Sequence, residues 1–125
     1  MTDDPTASAG QPTVPTDILI SVAVEGWRLA RVYARAVSKL DAQDQIRYVS
    51  QHRYFMQQLE QHLMTAGLRL VAFDEHPYDP GLPLSVLNLD EFSSETALVI
   101  EQTVEPVVMG PAGVLRMGSA IAKRA

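Results

Sequence analysis

Three histidines and a set of clustered carboxylates are the residues best able to do chemistry in this 125-residue chain. The densest group is "DEHPYD", where Asp74, Glu75, His76 and Asp79 share one short loop and offer oxygen and imidazole donors to a divalent cation. Pro77 and Pro80 restrict how those side chains can converge, so no metal site is expected there. Glu101 and Glu105 fall on one side of an alternating segment. Nothing in the sequence around them would separate their pKa values as acid–base catalysis requires. His52 sits at a helix-seam position, where a polar residue that sets helix register is the favoured reading over a ligand, and His62 is expected to face solvent. No nucleophile elbow, phosphate loop, dinucleotide fingerprint or zinc-protease motif occurs. Cysteine is absent, which removes disulfides, thiolate ligands and thiol nucleophiles together. The chain is expected to be no enzyme, with no catalytic residue, no metal and no cofactor.

Composition narrows the remaining classes. Hydrophobic residues make up 46%, enough for a core. The start "MTDDPT" is acidic and polar, without the basic-then-apolar order of a signal peptide, and "ILISVAV" is far shorter than a membrane span, so a soluble cytoplasmic protein is expected. Net charge is −5, distributed unevenly. Between Leu70 and Leu115 stand eight carboxylates and no Lys or Arg, a surface that repels phosphate backbones and argues against nucleic-acid binding. Arg28, Arg31, Arg35 and Lys39 instead form one helical stripe. It reads first as a solvated face or as partners for nearby acids, and second as a docking stripe for an acidic partner.

The elements that must position these residues divide the chain in three. Residues 1–16, rich in proline and small polar residues, read as a disordered tail. Residues 17–40 read as a helix capped by Thr16 or Asp17, with Ile18, Val22, Gly26, Leu29, Tyr33, Ala36 and Leu40 on one line. Trp27 lies off that line and reads as half-buried packing. Asp41 caps a second helix over 42–66, stopped by Gly67. Its heptad seam of Val49, His52, Met56, Leu59, Leu63 and Ala66 is flanked by Ile46 and Phe55. The short connection makes an antiparallel hairpin, each helix about 36 Å long at about 1.5 Å per residue. So broad an apolar stripe invites a second copy, giving a dimeric four-helix arrangement. From Leu68 the period becomes two. "LRLVAF", "VLNL" and "ETALVIEQTVEPVVM" read as strands, the last broken by Pro106 with Leu98, Ile100, Gln102 and Val104 on one side. "GPAG" turns the chain back into "VLRMGSAIAK". The fold class is therefore α+β: an N-terminal helical hairpin (17–66) followed by a small C-terminal β-module (67–125) that leans on it.

The order of parts, with Gly67-Leu68-Arg69-Leu70-Val71, then Tyr78-Asp79-Pro80, then Val114-Leu115-Arg116-Met117 through Ile121-Ala122-Lys123, resembles the GrpE family of nucleotide exchange factors over roughly residues 45–125. The resemblance implies a homodimer joined by its helices. Its β-modules would act as wings that press on the ATPase domain of a DnaK-type chaperone and favour the open cleft, so that ADP leaves. Gly67, Tyr78, Asp79, Pro80 and Arg116 match the family pattern, and Glu101, Glu105 and Met109 join them as candidates for the partner-facing surface. Within "HPYDPGLP" the prolines and an Asx-turn at Asp79 would hold the wing at a set angle. After Asp79-Pro80 the chain reads "GLPLSVLN" where the family has a His-Glu or His-Gln pair, and this departure keeps a second reading open: a dimeric adaptor or scaffold with the same fold and no exchange role.

Overall fold

The computed structural model describes residues 15–125; the tail assigned to residues 1–16 lies outside it except for its last two positions. Helix α1 spans Thr16–Val37 and α2 spans Ala42–Thr65. Neither Thr16 nor Asp17 caps α1: Pro15 precedes its first turn, and the Pro15 carbonyl accepts from the Ile18 and Leu19 amides. Asp41 does cap α2, accepting from the Asp44 amide at 2.9 Å. Gln45 fastens the connection by donating to the carbonyls of Ser38 and Leu40.

At the far end of α2, Gly67 adopts φ 76°, Gly67 N–H bonds Met64 O and Leu68 N–H bonds Leu63 O. This is a Schellman stop, completed by the apolar contact of Leu63 with Leu68 inside one buried cluster. Gly67→Ala keeps both hydrogen bonds but forces a Cβ into the left-handed region; a loss of about 1 kcal/mol in urea denaturation is expected.

Six short strands follow: β1 (Arg69–Val71), β2 (Leu84–Val86), β3 (Leu98–Glu105), β4 (Val107–Gly110), β5 (Gly113–Arg116) and β6 (Gly118–Arg124). They form two three-stranded sheets, ordered β1-β4-β5 and β2-β6-β3. Strands β3–β4 and β5–β6 together make one long hairpin that changes sheet at Pro106 and Met117, with β1 added antiparallel at one edge and β2 parallel at the other. Pro106 breaks the long apolar segment as its missing N–H requires. "VLNL" does not form the strand expected of it. The strand is 84–86, and Leu89–Glu91 is a 3₁₀ turn. Beyond Val86 the Asn88 side chain takes over the pairing, donating to Ala122 O and accepting from Ala122 N.

The simple alternation of β3 is also corrected. Register shifts between Ile100 and Gln102 and between Thr103 and Glu105 leave Glu101 and Val104 without partners on β6. Each bulge flips the side-chain phase, so Ile100 and Thr103 are both buried.

Two clusters make the core. Ile20, Ala23 and Val24 of α1 meet Leu63, Leu68 and Val108, joining hairpin to module; Leu84, Ile100, Val107 and Ala120 fill the module itself. The buried side of α1 is thus Ile20, Ala23, Val24, Trp27 and Ala30, and the line Ile18, Val22, Leu29 is exposed.

Candidate functional site

Polar side chains of hairpin and module meet at the junction between them. α1 presents Arg31 one turn beyond Trp27, the guanidinium lying 4.3 Å over the indole ring. After β1 the chain turns at Phe73 and Asp74, where the Phe73 amide donates to the Thr103 hydroxyl and Asp74 accepts the Thr103 amide at 3.0 Å. The other Asp74 oxygen accepts from Arg31 at 2.7 Å. Burial pushes the Asp74 carboxyl up, but hydrogen bonds from Arg31 and from the Thr103 hydroxyl and amide, with the Arg31 charge, outweigh burial and hold it below the ordinary carboxylate value. A second tie runs through β5. Arg116 reaches Ser21 of α1 at 3.5 Å and Glu105 at 3.7 Å, and Glu105 accepts the Ser119 hydroxyl at 2.9 Å.

The corner at 76–83 forms the Asx-turn expected at Asp79, and its contacts lie within the module. Asp79 Oδ1 accepts the Gly81 amide at 2.9 Å, closing an Asx-turn. The strand-like entry to the corner pairs with β3, through Ile100 N to His76 O and Tyr78 N to Leu98 O. Tyr78 and Pro80 line a cavity of about 440 Å³ together with Leu89, Phe92 and Leu98.

The candidate partner-facing residues do not come together on one surface. Tyr78, Asp79 and Pro80 belong to the corner. Glu105 and Arg116 form the second tie, where they are engaged with one another. Met109 lies half-buried against the module core, opposite Arg69 on β1, and Gly67 stands beside Pro111 at the helix stop. Glu101 alone is an exposed, unpaired bulge residue among the described residues.

In the loop that offered cation ligands, Asp74 is engaged with Arg31 and Thr103, Glu75 with Lys123 at 3.3 Å, and Asp79 with Gly81. No three His, Asp or Glu side chains converge as a metal site would need among the described residues. Of the basic stripe, Arg28 pairs with Glu25 and Arg31 with Asp74, while Arg35 and Lys39 have no carboxylate partner among the described residues.

The heptad seam divides. Leu63, only 2% exposed, and Leu59 belong to the core shared with α1 and the module, Val49 stays exposed, and His52 stacks on Tyr33 of α1 with ring centroids 6.2 Å apart. Beside that stack a groove of about 420 Å³ lies between the two helices, lined by the small Gly26 and Ala30 and by Leu29, Tyr33, Tyr48 and Phe55. The Trp27–Arg31–Asp74–Thr103 tie escapes sequence reading because its charges stand 43 residues apart with no local pattern linking them. The surplus of basic residues on α1 facing an acidic module is the one signal that points toward it.

Among the described residues no helix is long and apolar enough to cross a membrane. No protein family, curated protein or solved structure matches the chain.

Proposed function

We propose that the chain is a divergent GrpE-like cochaperone of the cytoplasm, a homodimer that binds the ATPase domain of a DnaK-type chaperone and promotes ADP release by favouring the open cleft. The observation that carries this reading is the rigid mounting of an acidic, non-catalytic β-module on a helical hairpin. A shared core, the Arg31–Asp74–Thr103 tie and the Arg116–Ser21 contact fix its pitch. A wing that levers a cleft open needs no acid, base or metal. It needs only to bind the open state better than the closed one, and it must be stiff enough to transmit that preference.

Stopped-flow release of a fluorescent ADP analogue from DnaK-type ATPases tests the proposal. Acceleration of at least about tenfold is expected, equivalent to about 1.4 kcal/mol of differential affinity. A flat response from every ATPase tried, with the dimer intact, rejects exchange activity.

The second reading, a dimeric adaptor of the same fold, draws support from one feature. Tyr78 and Arg116, which match the family pattern, are engaged within the chain, Tyr78 against the module core and Arg116 with Glu105.

A further inference from the structure

The hairpin carries an apolar face that the module does not cover. We propose that this face, built on the α1 line through Leu29 and the groove beside it, is where a second copy of the chain docks; the α2 heptad seam is not the interface. The inference rests on the dimer in the reading above and says which surface makes it.

Three observations support it. The first is exposure in line. Ile18, Val22 and Leu29 are 50%, 64% and 70% exposed and lie on the stripe that continues through Gly26 and Tyr33. By helical position this stripe is turned well away from Ile20, Val24 and Trp27, the side that packs inward. The second is charge. The groove lining, from Gly26 and Leu29 across to Gln51 and Phe55, carries no Asp, Glu, Lys or Arg; of the charges at its edge, Glu25 on the stripe is paired with Arg28 and Arg47 lies over the Tyr48 ring. The other charges of the hairpin, Arg35, Lys39, Arg53 and Glu60 among them, do not line the groove. Depletion of charge from an exposed apolar band is the mark of an interface centre.

The third is self-complementarity. A two-fold interface uses the same patch twice, so it needs a projection and a recess side by side. Leu29 is the projection. The recess is the 420 Å³ groove lined by Gly26 and Ala30, where a Cβ on Gly26 would stand 3.4 Å from the Phe55 ring. Taking about 150 Å² for each fully exposed side chain, the low end for an aromatic, Ile18, Val22, Leu29 and Phe55 supply about two-fifths of the ~800 Å² that each partner of a stable complex buries. The seam offers no such band: Leu63 and Leu59 are already in the chain's own core, and of its residues only His52 reaches the groove.

Sedimentation of the full chain and of two charge variants decides the matter, with circular dichroism to check that each variant is folded. The wild type is expected to be a dimer at micromolar concentration. Leu29→Asp is expected to weaken it by about 100-fold or more, because a two-fold interface carries the change twice, and Val49→Asp to leave it intact. The chain has no cysteine, so Leu29→Cys and Val49→Cys, joined by a short bismaleimide, give an independent readout that puts no charge in the interface. Cross-linked dimer is expected from Leu29→Cys only. A dimer that survives Leu29→Asp, or cross-links only through Val49→Cys, overturns the assigned face and leaves the exchange reading standing. A monomeric wild type overturns both. If that monomer binds 1-anilinonaphthalene-8-sulfonate and Leu29→Asp abolishes the binding, the groove belongs to an apolar ligand instead of a second copy.

Discussion

Gly118→Ala is expected to lower stability by about 3 kcal/mol, the largest loss from a single methyl group in this chain. Gly118 opens β6 where the long hairpin changes sheet, wedged between Pro83 of the corner and the break at Pro106. Its amide donates to Pro83 O at 3.0 Å. A Cβ there would stand 2.5 Å from Glu105 O and 3.0 Å from both Pro106 C and Val107 N. All three atoms are backbone, so no side chain can swing aside. Relief would require β3–β4 to separate from β6 at the point where both sheets are joined. Overpacking of a well-filled interior costs about 1–3 kcal/mol, and a rigid backbone neighbour puts the change at the upper end. Against a whole-domain stability of about 5–15 kcal/mol that is a large fraction. Gly113→Ala separates strain from packing: nothing lies within 4 Å of its Cβ position, so the strain of a φ of 128°, about 1–3 kcal/mol, is the whole expected effect. Urea denaturation of the two variants separates the cases. A loss below about 1 kcal/mol for Gly118→Ala would mean that the crossover is not tightly packed.

Features set by neighbouring residues were legible in advance. The Asp41 cap, the Gly67 stop, the Pro106 break and the Asx-turn at Asp79 each depend on a few consecutive residues, and each stands where its residues imply. Features decided by tertiary competition were not. Helix α1 is apolar on two flanks, and periodicity finds both Ile18–Val22–Leu29 and Ile20–Val24–Trp27 without saying which one the module covers. The module takes the second because Ile20, Ala23 and Val24 pack there with Leu68 and Val108, and Arg31, lying over Trp27, reaches Asp74, leaving the first for solvent or a partner. The phase of β3 was lost for a similar reason. A bulge at Glu101 has no signature in a run of β-branched residues, yet it inverts which side chains face inward, and Thr103 enters the core.

The junction is where those two failures meet, since it needs both the inward flank of α1 and a buried Thr103. In the folded chain Asp74 holds them together, and its removal has a calculable sign. Asp74→Ala leaves the Thr103 amide without an acceptor and frees Arg31. The unsatisfied, largely buried N–H costs about 1–3 kcal/mol. The ion pair adds under about 1 kcal/mol, because a third of each side chain is exposed. A total loss of about 2–3 kcal/mol is expected. Asp74→Asn keeps an oxygen for Thr103 and loses only the charge, so about 1 kcal/mol is expected.

The pH dependence distinguishes the two roles. The folded pKa of Asp74 lies below its ordinary value. Its contribution is therefore complete above the unfolded-state pKa of about 3.9 and fades as pH falls through the folded one. Wild type should lose this increment on acidification below about pH 4, and Asp74→Asn should not. Trp27 is the only tryptophan and lies under Arg31, so its emission reports the junction directly. In Asp74→Ala the indole should shift to the red before global unfolding in urea, as α1 parts from the module. If wild type and Asp74→Asn instead show the same acid profile and the same Trp27 transition, the charge on Asp74 does not hold the wing. The stiffness that an exchange lever requires would then have to come from the apolar contacts of Val24, Leu63 and Val108 alone.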